Sequence, residues 1–67
     1  MRLKDLREDK DLKQIQVAKY LNIKQNTYSQ YENKKREIPL NLLWKLADLY
    51  DTSIDYLVGR TDNPTKN

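Results

Sequence analysis

Apolar residues recur at helical spacing in five short segments of this chain, and no segment alternates between apolar and polar residues as a half-buried strand does. Only one glycine and two prolines occur, so we expect few turns. A chain of 67 residues is also too short for more than one domain. We therefore predict an all-α domain at residues 1–60, a compact bundle of five helices. The predicted helices cover about residues 2–9, 14–20, 25–32, 40–50 and 54–58.

Residues at the ends of these segments predict where several helices begin and end. Pro39 fits the first turn of the fourth helix, where its missing N–H costs nothing. We expect Ser53 to cap the fifth helix and Gly59 to end it. We expect Asn22 to end the second helix in the left-handed conformation, which asparagine tolerates better than most residues.

The C-terminal stretch 61–67 is polar and contains the helix-breaking pair Asn63-Pro64. We expect it to form a flexible tail. The same stretch is also typical of the start of a linker. The chain is therefore either complete or the N-terminal piece of a longer protein.

Two missing residue types exclude several classes of function. The chain has no cysteine and no histidine, which rules out disulfides and thiolate metal sites and removes the commonest general base and zinc ligand. Serine, tyrosine and carboxylates are present, but no base, metal cluster or phosphate-binding glycine loop accompanies them. We expect no enzymatic activity, no cofactor and no metal, and no small-molecule ligand is evident.

The hydropathy pattern gives no sign of a membrane partner. No run of about 18 apolar residues is present to cross a bilayer. The N-terminus also lacks an apolar stretch long enough for a signal peptide. We therefore expect a cytoplasmic protein.

Charge is unevenly distributed along the chain. The net charge is +3, but residues 12–36 carry six basic residues and one acidic residue, whereas residues 37–58 carry one basic residue and four acidic ones. This division favours one face for a polyanion and another face for a different partner. The alternative is that both halves are simply solvated.

The segment Gln14–Asn33, QIQVAKYLNIKQNTYSQYEN, meets the requirements of a helix-turn-helix unit: two short helices joined by Leu21-Asn22-Ile23, with the small Ala18 where they cross. Tyr28 and Tyr31 lie where helices pack, so we predict a core role for both. The polar residues left on the second helix include no carboxylate, and their amides and hydroxyl both donate and accept hydrogen bonds, as reading base edges requires. These residues are Lys24, Gln25, Asn26, Ser29 and Gln30. The alternative is an ordinary polar helix surface.

These residues resemble the helix-turn-helix domains of phage-repressor and Xre type, which include the lambdoid phage repressors and Cro. The resemblance covers about residues 2–60, through LKQIQVAKYLNIKQNTYSQYENKKREIP, PLNLLWKLADLY and the closing DTSIDYLVGRTDNP. It implies a lambda-repressor-like fold with the helix-turn-helix at helices 2 and 3. It also implies a transcriptional regulator that acts as a repressor and binds a palindromic double-stranded DNA operator as a homodimer. The recognition helix Gln25–Glu32 would lie in the major groove.

The resemblance also implies roles for individual residues. Gln25, Asn26 and Gln30 stand where relatives read bases, and Lys24 and Ser29 lie beside them. The expected phosphate contacts are Gln14, Asn33, Lys35 and Arg36, with Lys34 in the same basic run and Lys13 and Thr27 as weaker candidates. Glu32 does not face DNA in relatives but pairs with an arginine of the first helix, a place that Arg7 holds here.

The chain departs from the family pattern at four positions. Lys13 and Lys24 replace the usual serine or threonine N-caps, so either these helix starts are weakly held or the lysines point outward toward phosphate. Asn22 and Lys34 each replace a glycine. Because a left-handed lysine costs about 1 kcal/mol, we expect the loop at Lys34 to take another path.

The fourth helix is more apolar than one buried face requires. The surplus predicts a homodimer interface formed by the fourth and fifth helices. Two alternatives stay open: partly exposed residues of a small domain, or a protein-interaction module that uses the same leucine-rich face without DNA. The interface candidates are Leu42, Trp44, Leu46, Leu49, Ile54 and Leu57.

Overall fold

Five helices and no strand make up the regular structure of residues 1–65, which are the residues that the computed structural model describes. The predicted all-α fold is therefore confirmed, and the predicted helix bounds differ from the observed ones by one residue at most. The helices are α1 (Leu3–Asp9), α2 (Gln14–Leu21), α3 (Gln25–Glu32), α4 (Leu40–Leu49) and α5 (Ile54–Leu57).

Every helix is followed within two residues by a residue with a left-handed backbone, and only one of these five residues is a glycine. Each of these ends is closed by two backbone hydrogen bonds that reach back into the last turn, the arrangement known as a Schellman motif. At the end of α1, for example, the Leu12 N–H donates to the Arg7 carbonyl at 3.0 Å and the Asp11 N–H donates to the Glu8 carbonyl at 2.9 Å. The left-handed residues, with their φ angles, are Asp11 (56°), Asn22 (59°), Lys34 (60°), Asp51 (52°) and Gly59 (87°).

The loop after α3 corrects one expectation from the sequence. Lys34 was expected to avoid the left-handed conformation, but its φ is 60°. The Lys35 N–H donates to the Gln30 carbonyl at 2.9 Å, and the Lys34 N–H donates to the Tyr31 carbonyl at 3.3 Å. These bonds satisfy carbonyls that would otherwise be unpaired at the helix end, which offsets the steric cost of the lysine side chain.

The helix starts differ in how they are capped. The Ser53 hydroxyl accepts the Tyr56 N–H at 3.0 Å, as predicted for the start of α5. Neither Lys13 nor Lys24 provides an oxygen to cap α2 or α3, because an ammonium group is only a donor. Before α2, Gln16 reaches back instead and its Oε1 accepts the Lys13 N–H at 2.7 Å. Both lysines are exposed.

The core explains much of the apolar surplus of α4. This helix packs against both α2 and α5, so two of its faces are buried rather than one. Burying such side chains is the main favourable contribution to folding in a domain of this size. The buried apolar residues of the chain are Leu3, Val17, Ala18, Leu21, Tyr28, Tyr31, Leu42, Leu43, Leu46, Ala47, Tyr50 and Leu57.

The segment 61–65 contains no helix or strand but contacts the helical domain through hydrogen bonds. The Thr52 hydroxyl donates to the Pro64 carbonyl at 2.8 Å. Arg2 donates to the Thr61 carbonyl at 3.2 Å and to the Asp62 carboxylate at 2.8 Å. Lys66 and Asn67, the end of the tail predicted at 61–67, lie outside the described residues, and the flexibility of this tail stays a prediction.

Candidate nucleic-acid interface

The packing of α2 on α3 fixes which face of α3 is exposed. Ala18 of α2 and Tyr28 of α3 have no exposed surface. The short turn between the helices is closed by left-handed Asn22 and by the Ile23 N–H, which donates to the Ala18 carbonyl at 3.0 Å. The small Ala18 side chain permits a close crossing. One side of α3 is therefore buried in the core, and the opposite side faces outward.

The outward side of α3 lines a shallow, open depression of about 500 Å³. The structure brings together here four of the predicted base-reading residues and three of the predicted phosphate-contacting residues, and no acidic side chain lines the depression. Amide groups that both donate and accept thus stand beside a single lysine. The lining residues are Gln14, Gln25, Asn26, Ser29, Gln30, Asn33 and Lys35.

Four other predicted contact residues lie outside this depression. Lys13 and Lys24 are exposed at the starts of α2 and α3, and Thr27 is half-buried on α3. Arg36 is exposed and lines a second depression, of about 430 Å³, together with Lys34 and Lys35. Lys35 lines both depressions, so the basic loop is continuous with the outward side of α3.

One hydrogen bond on this surface was not foreseen from the sequence. The Asn33 side-chain amide donates to the Ser29 hydroxyl oxygen at 3.3 Å. The two residues are four apart, which places them on the same side of a helix. In the sequence, only this four-residue spacing indicates the bond. Because the Ser29 hydroxyl is the acceptor, its own proton is not used in it.

A buried ionic cluster joins α1, α2 and α3 behind the depression. Arg7 Nε lies 2.7 Å from Glu32 Oε2, and Arg7 Nη2 lies 3.3 Å from Glu32 Oε1. The Arg7 and Glu32 side chains are only 12% and 2% exposed. Arg7 Nη1 also donates to the Leu12 carbonyl at 2.8 Å, and Gln14 Nε2 donates to Glu32 Oε1 at 3.1 Å. The structure thus brings the predicted ion pair together and adds Gln14 to it.

This cluster shifts the pKa of both charged partners. Burial raises the pKa of the Glu32 carboxyl, but the donors around it, Arg7 first and then Tyr28 and Gln14, outweigh burial and leave that pKa below its ordinary value. The hydrogen bond to Glu32 raises the pKa of Arg7. Both groups therefore stay charged at neutral pH, and the pair needs its full set of hydrogen bonds because it is removed from water.

The structure corrects half of the predicted dimer surface. Leu42, Leu46 and Leu57 are 7%, 0% and 0% exposed, so they belong to the core of this chain and have almost no area left for a partner. The same burial removes the support for a leucine-rich protein-interaction face. Periodicity alone could not separate core leucines from surface leucines on α4, because apolar residues lie on more than one side of this helix.

The remaining dimer candidates lie at or near the surface. Leu49 and Ile54 are half-buried against the core. Trp44 is 60% exposed, and Leu40, one turn earlier on α4 and not predicted at this surface, is 57% exposed. A shallow depression beside Trp44 is also lined by Ile54.

The described part of the chain shows neither a metal-binding cluster nor a membrane span. No group of three or more potential metal-ligating side chains occurs within residues 1–65. None of the helices in this range is long and apolar enough to cross a membrane.

The fold and this outward-facing amide surface define a helix-turn-helix domain, and comparison with known proteins agrees. Residues 3–57 match the Helix-turn-helix family. The chain therefore belongs to this family, in its Xre-type branch.

Several curated proteins are similar over almost the whole of this chain. It is 41% identical over 63 residues to the uncharacterized HTH-type transcriptional regulator YobD of Bacillus subtilis, covering 94% of this chain and 56% of that protein. It is 39% identical over 66 residues to the HTH-type transcriptional regulator ImmR of the same organism, covering 98% and 52%. It is 34% identical over 61 residues to the cryptic phage CTXphi transcriptional repressor RstR of Vibrio cholerae, covering 91% and 55%.

The chain spans about half the length of these curated relatives. No solved structure matches it significantly.

Proposed function

We propose that this chain is a sequence-specific, double-stranded DNA-binding domain of a transcriptional regulator. The observation that carries the proposal is the outward side of α3, where Gln25, Asn26 and Gln30 are exposed in a depression lined by no carboxylate. Family membership and the names of the similar regulators support the same function.

In this proposal α3 lies in the major groove and reads base edges through its amides. Glutamine and asparagine side chains form paired hydrogen bonds with adenine, through its N6 amino group and N7. The outward positions of Gln25, Asn26 and Gln30 allow such contacts, with Ser29 and Lys24 beside them. We therefore expect adenines among the bases that α3 contacts.

Phosphate contacts would surround this reading surface. The loop Lys34–Arg36 carries three cations next to the depression, and Asn33 precedes it. Gln14 at the start of α2 lies on the other side, near exposed Lys13. Phosphate contacts position a domain on DNA and supply much of its affinity, whereas base contacts supply its specificity.

We further propose that the domain binds a palindromic operator as a homodimer. One domain of this size has few phosphate contacts, and a two-fold pair doubles them. The exposed Trp44 and Leu40 on α4 and the neighbouring Ile54 provide the apolar surface for such a pair. Two half-sites would then lie about one helical turn, roughly 34 Å, apart.

Regulation in this proposal comes from occupancy of DNA and not from catalysis. A dimer that covers an operator excludes other proteins from it, so the sign of regulation that we propose is repression. The relative RstR is named as a transcriptional repressor. The proposed role places the protein in the cytoplasm, with the DNA it binds.

Selection of binding sites from a random double-stranded library, at about 0.15 M salt, tests the proposal. We expect enrichment of a palindrome with adenines in each half-site. Enrichment of a single half-site would support base reading and contradict the dimer. Bulk binding without any enriched sequence would contradict sequence-specific recognition.

A further inference from the structure

Glu32 occupies the last position of α3 and accepts hydrogen bonds from two other helices. Its side chain is 2% exposed, so it makes no contact with a ligand in the depression. Oε2 accepts Arg7 Nε, while Oε1 accepts both Arg7 Nη2 at 3.3 Å and Gln14 Nε2 at 3.1 Å. A single buried carboxylate therefore holds the arginine on one side and the glutamine on the other.

Gln14 lies between this carboxylate and the outward-facing depression. It is half-buried at the first position of α2, and it lines the depression together with Gln25. Because one N–H of its amide donates a hydrogen bond to Glu32, the orientation of the planar amide group is fixed. The second N–H and the carbonyl oxygen are the groups left for other partners.

The other glutamines of the surface have no such anchor. Within residues 1–65, the side-chain amides of Gln25 and Gln30 form no hydrogen bond to a protein group, and both residues are exposed. A free glutamine amide turns easily between orientations that exchange its oxygen and nitrogen. Gln14 is thus the one amide lining the depression that a buried charge holds in place.

We propose that Glu32 is a positioning residue for DNA recognition, which acts by fixing the amide of Gln14 with its second N–H available to a phosphate. This inference rests on the proposed DNA-binding function. Arg7 completes the arrangement because its bidentate contact keeps the Glu32 carboxylate ionised and oriented. Recognition at the outward surface then depends on a carboxylate that never touches DNA.

A double-mutant cycle on DNA affinity separates this role from a merely structural one. The variants are Glu32→Gln, Gln14→Ala and the two combined, measured on the enriched operator at a temperature where thermal melts show all of them folded. Glu32→Gln keeps the side-chain size but gives the carboxylate position an N–H₂ group, which favours the flipped amide of Gln14. We expect it to weaken binding about tenfold, the range of a hydrogen bond to a charged group, and to have no further effect once Gln14 is alanine.

Gln16→Ala provides the matched background, since Gln16 lies on the same helix and contacts Lys13 instead of Glu32. In the Gln16→Ala background, Glu32→Gln should still weaken DNA binding by its full factor. An equal loss from Glu32→Gln in the Gln14→Ala and Gln16→Ala backgrounds would overturn the positioning role, because the loss would not pass through Gln14.

Nuclear magnetic resonance of the free protein tests the contact without DNA. One side-chain N–H of Gln14 should exchange with water more slowly than those of Gln25 and Gln30, and Glu32→Gln should shift the Gln14 side-chain resonances but not those of Gln16. Fast exchange at Gln14 would overturn the inference even if an operator is enriched. A protected Gln14 amide together with no enriched sequence would instead overturn the proposed function, and with it the role of Glu32 in recognition.

Discussion

Arg7 of α1 and Glu32 of α3 form a two-point ion pair that is almost completely removed from solvent, with Nε and Oε2 2.7 Å apart. The two residues are 25 positions apart in the sequence. The pair ties the end of the proposed recognition helix to the first helix. Its contribution is best seen by removing one partner.

We predict that Arg7→Met destabilises the domain by about 3 kcal/mol, because it leaves the Glu32 carboxylate buried without its main donor. The double variant Arg7→Met, Glu32→Met should lose less stability than either single variant, since no uncompensated buried charge remains. Urea denaturation measures all three. A double variant as unstable as the sum of the singles would show that burial of a lone charge is not the cause.

The lowered pKa of Glu32 predicts how stability changes in acid. The unfolded chain, with an ordinary glutamate pKa, takes up protons at a higher pH than the folded protein does. The contribution of Glu32 to stability is therefore fully present above about pH 4.5 and is lost as the pH falls through the folded pKa. Thermal melts between neutral pH and acid should show a steeper decline for the natural chain than for Glu32→Gln. Parallel declines would contradict the assignment.

The left-handed backbone at Lys34 predicts a stabilising substitution. Lys34→Gly should raise the free energy of unfolding by about 1 kcal/mol, because glycine has no Cβ to strain at a φ of 60°. Lys34→Ala is the matched control, since it removes the same charge and keeps the strain. If both variants gained equally, charge repulsion in the basic loop and not the backbone would be the cause.

Base reading and phosphate contact predict different patterns of loss on DNA. Gln25→Ala or Gln30→Ala should lose about 1–3 kcal/mol on the enriched operator and little on random DNA. Lys35→Ala should weaken binding to both DNAs equally. It should also reduce the slope of log affinity against log salt concentration by about the amount expected for one phosphate contact. Fluorescence anisotropy titrations at several salt concentrations measure both. Equal losses on both DNAs for the glutamine variants would refute base reading.

The exposed Trp44 predicts the effect of a charge at the proposed dimer surface. Trp44→Glu should shift the chain toward monomer in sedimentation experiments with operator DNA, with little change in stability because the side chain is 60% exposed. Lys45→Glu, at the next and exposed position of α4, is the control. A Trp44→Glu protein that still binds as a dimer would place the interface elsewhere.

The fold was largely predictable because its signals are local. Helical periodicity located α3 at Gln25–Glu32, and the amides on its outer side follow from the same periodicity. The fate of the α4 leucines was not predictable in this way. Their spacing does not distinguish a leucine that faces a partner from one that faces the core, and only the packing of α4 against α2 and α5 decides that Leu42 and Leu46 are buried.

Two other features, the loop conformation at Lys34 and the hydrogen bond from Gln14 to Glu32, arise from interactions between residues and not from a single residue type. The steric cost of one side chain disfavours a left-handed Lys34, but the two backbone bonds that close α3 also contribute to the loop conformation. The bond from Gln14 to Glu32 joins residues 18 positions apart. No spacing rule within one helix reports such a contact, although the resemblance to relatives did indicate the pairing of Arg7 with Glu32.

Sequence recognition by α3 is measured by the ratio of affinities for the enriched operator and for a scrambled duplex of the same length and composition. Both are measured at about 0.15 M salt, where non-specific phosphate binding is weak. We predict that the operator is bound at least about a thousandfold more tightly, and that Gln25→Ala reduces this ratio by about 5- to 150-fold. A ratio near one, with both affinities falling equally steeply as salt increases, would contradict sequence recognition by α3.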